Sequence, residues 1–239
     1  MCYISRMSAA SRQPGYTLSL LVGALLVVIA GALHPHLMGD GAAQLALIAR
    51  SSAWRAIHWA FLFGFALSLT GLAGLAGLHA GTAGERAMRA GLAVGGLAYA
   101  AWVIIVAFMA GTGWILAQDY QAAEPGMTAT RAIFLYDMAH PFALAAQRFA
   151  AFALGISTYL FGWGAVRGRV LPRSLGWLGI ASGMSGVVLA VLFDERTRAD
   201  QAAFVLPVLW QCAVAAVLVS APAAGRPVPS SSTATMGRG

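Results

Sequence analysis

The chain contains no lysine, and every one of its 15 basic residues is an arginine. Without lysine there is no Walker-type phosphate loop, no Schiff base to retinal or pyridoxal phosphate, and no lysine general base. Cysteine is nearly absent. Cys2 and Cys212 stand far apart, so neither a disulfide framework nor a thiolate metal cage is available. Charge is scarce as well: 10% of the 239 residues are charged, whereas about a quarter are in soluble globular domains. The apolar runs hold no pair of carboxylates, which excludes a proton relay crossing a whole membrane. H-E-x-x-H, Glu-x-x-His and C-x-x-C are all missing.

What the chain does have is apolar length, at 59% hydrophobic residues and a net charge of +7. The arginines are scattered over short loops and form no basic stripe, so a nucleic-acid partner is excluded and a lipid bilayer is expected. Residues 1–16 read as a short polar lead and 17–220 as a transmembrane domain. Residues 221–239, rich in Pro, Ser and Gly, read as a disordered tail. The domain divides into six spans of about 20 apolar residues: 17–33, 54–79, 91–118, 138–163, 171–193 and 201–220. The first span, with its basic lead and Ala30-Gly31-Ala32, also has the pattern of a cleavable signal peptide, but five further spans favour a retained helix. The expected fold is therefore an all-α, polytopic membrane bundle of six helices.

Between the spans, Asp40 is placed to cap a short interfacial helix over 41–50, and Ser52 to cap the second span. Residues 119–130 read as a polar loop broken at Pro125-Gly126, with a helix resuming near Thr128 and running into the fourth span. Gly91 and Gly95, and Gly71, Gly74 and Gly77, have the small-residue spacing of close helix contacts. Most of the seven tryptophans fall near span ends and are assigned to interfacial belts.

Six spans put both termini on one side. That side carries nine arginines (Arg6, Arg12, Arg86, Arg89, Arg167, Arg169, Arg173, Arg226, Arg238), and the other carries six (Arg50, Arg55, Arg131, Arg148, Arg196, Arg198). The positive-inside bias then predicts cytoplasmic termini in a bacterial inner membrane.

With that orientation four of the five histidines collect at the periplasmic face: His34, His36, His58 and His140, with Asp137 beside them. His79 lies at the opposite end of the second span. The stretch Asp137 to Arg148 concentrates unusual groups, because Asp137, His140, Leu144 and Arg148 share one helix face. Arg148 falls ~15 Å along that helix from Met138, close to mid-bilayer, where an ionisable group is costly. It reads either as an anion-binding group near Gln211 or as an arginine donating to carbonyls of neighbouring helices. Arg55, on one face with His58, is placed to pair with Asp137. Arg55, His58, Asp137, His140 and Arg148 are accordingly the candidate ligand-binding residues. His34, His36, His58 and His140 are candidate metal ligands for haem or copper, although interfacial histidines bonded to backbone or water need no cofactor. Gly183-Met184-Ser185-Gly186 is similar to the serine motif of intramembrane proteases, but no histidine in the sixth span could serve as its base, so no catalytic residue is assigned.

The His34-Pro35 end of the first span, the segment A-W-R-A-I-H-W opening the second and V-L-P-R-S-L-G-W-L-G-I-A-S-G opening the fifth make up a shared pattern. Over residues 17–220 the chain resembles a bacterial family of small six-helix integral membrane proteins classed as a domain of unknown function. Leu171-Pro172-Arg173-Ser174-Leu175-Gly176-Trp177-Leu178-Gly179 is the clearest segment, with Ser174 where a second aromatic is expected. The resemblance implies the fold and the membrane location and supplies no activity. Three functions fit these observations: binding or transport of a small ligand through a periplasm-facing polar pocket, electron transfer through a histidine-held haem or copper, and an accessory role with a membrane-protein partner or a second copy.

Overall fold

In the computed structural model, residues 14–123, 127–193 and 197–220 are described. The polar lead to residue 13, Pro125-Gly126 and the tail lie outside them. The chain is all-α, with six helices long and apolar enough to cross a membrane. Helix α1 (Pro14–Leu33) ends at His34-Pro35, since a residue before proline leaves the α region. Helix α2 (Gly41–Arg50) begins at Asp40, whose carboxylate accepts from the Ala43 N–H at 2.9 Å as the sequence suggests. Helix α3 (Trp54–Leu78) starts without a side-chain cap. Ser52 does not cap it; instead the Trp54 N–H donates to the Ser51 carbonyl.

Helix α4 (Glu85–Phe108) runs through a π-helical turn, Met109–Gly113, directly into α5 (Trp114–Ala122). Helix α6 (Met127–Gly168) is 42 residues long and contains Pro141. Helices α7 (Arg173–Leu192) and α8 (Arg198–Ser220) complete the bundle. Pro14 and Ser220 lie on one side, the near side; the opposite side is the far side.

The lengths correct the span limits drawn from sequence. Helix α7 has 20 residues, ~30 Å at 1.5 Å per residue, which matches the hydrocarbon thickness. The α4–α5 run of 38 residues and the 42-residue α6 are ~57 and ~63 Å long, about twice that. Residues 119–122, expected in a loop, are helical turns of this pair, while α6 starts at Met127, next to the expected resumption near Thr128. The hairpin therefore rises well above the far membrane face.

Two cores follow. The membrane core joins Phe65, Leu72, Trp102, Leu154, Phe161 and Trp210 of four helices. Its helices approach closely at glycine: a Cβ on Gly23 would strike Ser68 of α3, and one on Gly162 would lie 2.7 Å from the Gly176 carbonyl of α7. Gly91 and Gly95 seat α4 on Ser157 of α6, and Gly71 and Gly74 seat α3 on Leu20 and Tyr16 of α1; Gly77 faces open space. The second core is a far-side cap. Helix α2, the π turn, α5 and the first part of α6 enclose Leu45, Ile48, Met109, Leu116, Ala132 and Tyr136. Trp54 of α3 is fully buried in this cap and ties it to the bundle.

Candidate functional site

The far-side groups converge only in part. At the joint between bundle and cap, His34, Trp54, His58 and Phe61 form a ring cluster. The His34 centroid lies 5.1 Å from Trp54 and 5.2 Å from His58, the latter edge-on, and Trp54 and His58 are 4.4 Å apart. Three local features set this arrangement. The helix break at Pro35 leaves His34 over the first turn of α3. One helical turn separates Trp54 from His58, and the His58 Nδ1 lies 2.7 Å from the Trp54 carbonyl. The Trp54 indole N–H donates to the Met109 carbonyl at 2.9 Å, in the π turn. A π turn offsets the i→i−4 ladder, and here one of its carbonyls serves another helix.

Chemistry follows from these bonds. A carbonyl only accepts, so His58 donates through Nδ1, and Nε2 is left outside that bond. Burial, helped by the neighbouring imidazole of His58, pushes His34 down to about 4, so His34 is neutral near pH 7. Two imidazoles thus meet edge to face inside an aromatic box. His58 is buried and His34 is half-buried.

The other candidates have separate settings. The exposed His36 has Nδ1 3.0 Å from the Gln201 amide nitrogen of α8. His140 stacks on Tyr136 at 4.8 Å, the Tyr136 hydroxyl donates to Gln44 at 2.9 Å, and the Gln44 amide donates to the Gly39 carbonyl. That chain of contacts pins the α1–α2 connection onto α6. Asp137 sets its carboxylate against the α carbon of Gly41, at the first turn of α2, where the helix dipole favours negative charge. Arg55 is exposed, one turn above the exposed Trp59. The expected Arg55–Asp137 pair does not form; among the described residues the ion pair is Arg89–Glu85 at 2.9 Å.

Arg148 is relocated as well. Its Nε donates to the Ala190 carbonyl at 2.6 Å and an Nη donates to Val191 at 2.8 Å. Those carbonyls belong to the last turn of α7, so Arg148 closes a helix C-terminus at the far hydrocarbon boundary rather than at mid-bilayer. Gln211, its expected neighbour, accepts from Tyr99 at 3.0 Å inside the membrane core. His79 at the near side is fully buried, bonds Leu75 through Nδ1, and is pushed below its ordinary pKa by burial.

The four histidines do not make a ligand set for haem or copper. Among the described residues no three His, Cys, Asp or Glu side chains converge on one point. A bis-histidine haem needs its two imidazoles on opposite faces of one plane. His34 and His58 meet edge-on with no such gap.

Sequence reasoning missed Trp54, Tyr136, Gln44 and the π turn. Its position at a span end assigns Trp54 to an interfacial belt, and Trp59, Trp163 and Trp177 are exposed near span ends. Trp54 and Trp210 instead bury their rings and bond backbone carbonyls. The small-residue run Ala110-Gly111-Thr112-Gly113 inside an apolar stretch was the available signal for the irregular turn. Set against known protein families, characterised proteins and solved structures, the chain finds no match.

Proposed function

We propose that this is a multi-pass protein of the bacterial inner membrane, with cytoplasmic termini, that binds or transports a small ligand at its periplasmic face. The ring cluster of His34, Trp54 and His58 is the binding point. The observation that carries this reading is the His58 bond to the Trp54 carbonyl, which commits Nδ1 and leaves Nε2 outside that bond, edge-on beside the imidazole of His34. The cluster lies at the joint of two packed bodies, where small-ligand sites occur, and against a π turn, a frequent mark of functional positions. The neutral imidazole of His34 selects a ligand that donates hydrogen bonds, such as a protonated amine, an alcohol or a phenol.

Thermal unfolding of the purified protein against a panel of small amines, alcohols and phenols tests the reading, with His58→Phe and His34→Phe in parallel. At least one compound should raise the wild-type Tm by several degrees and leave both variants unmoved. If no compound acts, or if the variants respond as the wild type does, the site is packing and the reading fails.

A further inference from the structure

Arg148 does more than close α7. On the outer surface, Ala145, Arg148, Phe149 and Phe152 of α6 and Ala190 and Val191 of α7 line one shallow groove. Arg148 is its sole charged side chain, and the other lining residues are apolar. Two of the five guanidinium N–H donors are used by the α7 carbonyls, which leaves three.

Depth identifies what such a groove would meet. Helix α7 begins at Arg173, and its exposed Trp177 marks the near interface. Val191 lies 18 residues beyond Arg173, ~27 Å along the helix, so Ala190 and Val191 come close to the far edge of the ~30 Å hydrocarbon, the level at which lipid phosphates begin. Phe149 and Val191 are 49% and 55% exposed, so the walls present bare hydrocarbon-compatible surface directly beside the cation. An anion fits the charge, and an alkyl chain fits the walls.

We propose that this groove is a phospholipid site in the leaflet away from the termini, with Arg148 holding the phosphodiester and Phe149, Phe152 and Val191 packing one acyl chain. Free phosphate shares the head-group chemistry but leaves the apolar walls unused. The site is separate from the ring cluster, and its test does not depend on the ligand reading above.

The test is thermal unfolding of delipidated protein in an uncharged detergent, with added phosphatidylglycerol or inorganic phosphate. Three proteins are compared: wild type, Arg148→Gln and Ala145→Phe. The last fills the exposed groove while keeping the arginine and its α7 bonds. Phosphatidylglycerol should raise the wild-type Tm by several degrees and shift either variant by less than half as much, while inorganic phosphate should do nothing. If Arg148→Gln does not fold, Ala145→Phe decides alone. No wild-type shift, an equal shift in Ala145→Phe, or a full shift with inorganic phosphate would each overturn the lipid assignment.

Discussion

The most informative single residue is His34, because its surroundings set a measurable proton affinity. Burial and the adjacent His58 hold its folded-state pKa at about 4, against about 6.5 in an unfolded chain. A group with a depressed cationic pKa binds more protons when unfolded, so its contribution favours folding at high pH. That contribution is complete above about pH 6.5, falls as the pH drops towards 4, and is gone below it. The full swing is about 3 kcal/mol at most, since one pKa unit is worth about 1.4 kcal/mol. Thermal unfolding of wild type from pH 7.5 to 4 should therefore show a decline that His34→Gln flattens. Parallel curves for the two proteins would mean that His34 titrates in the fold as it does in the unfolded chain, and that burial beside His58 does not depress its pKa.

At the scale of elements, the π turn and its partner Trp54 decide whether the cap and bundle act together. The turn holds one extra residue in the α4–α5 run. Removing Ala110 returns the run to an unbroken α-helix and keeps α5 in nearly the same phase relative to α4. The Met109 carbonyl is then retained by its own ladder, and Trp54 loses its acceptor. A buried indole N–H left unpaired costs about 1–3 kcal/mol, and the tie between Trp54 and the cap core is loosened. Hydrogen exchange should speed up across residues 114–122 and 127–140 in the deletion variant and stay slow in α1, α3 and α7. Uniformly unchanged exchange would show that the turn is incidental. The sequence showed that helices exist here and where the apolar spans lie, because span length and hydropathy are properties of composition. It did not show the π turn or the cap, because both depend on which side chains from distant segments compete for a carbonyl. Polarity in 119–130 suggested a loop, yet polar residues on the outer faces of a helical hairpin have the same composition.

For the whole molecule, the sequence revealed the count of crossings and failed on depth. The failure has one cause: the fourth span was measured from its first long apolar residue, Met138, although that residue belongs to the projecting cap. Anchoring the measure to the Arg148–α7 bonds shifts every outer residue of α6 by about half a membrane. The same shift explains why the candidate polar groups divide among separate contacts, since Asp137 and His140 sit on the cap while His34 and His58 sit at its foot. Orientation rests on charge: nine arginines on the side of the termini and six opposite. Impermeant maleimide labelling of intact cells measures this directly, in a background with Cys2 and Cys212 replaced by serine. Gln121→Cys, exposed at the tip of α5, should react without permeabilisation. Ala80→Cys, exposed in the turn between α3 and α4, should react only after the membrane is opened. The reverse pattern would place the cap and its ring cluster in the cytoplasm, and the ligand would then have to be a cytoplasmic one. Reaction of both without permeabilisation would mean that the α4–α5 run between them does not cross the membrane, which the six-span fold forbids.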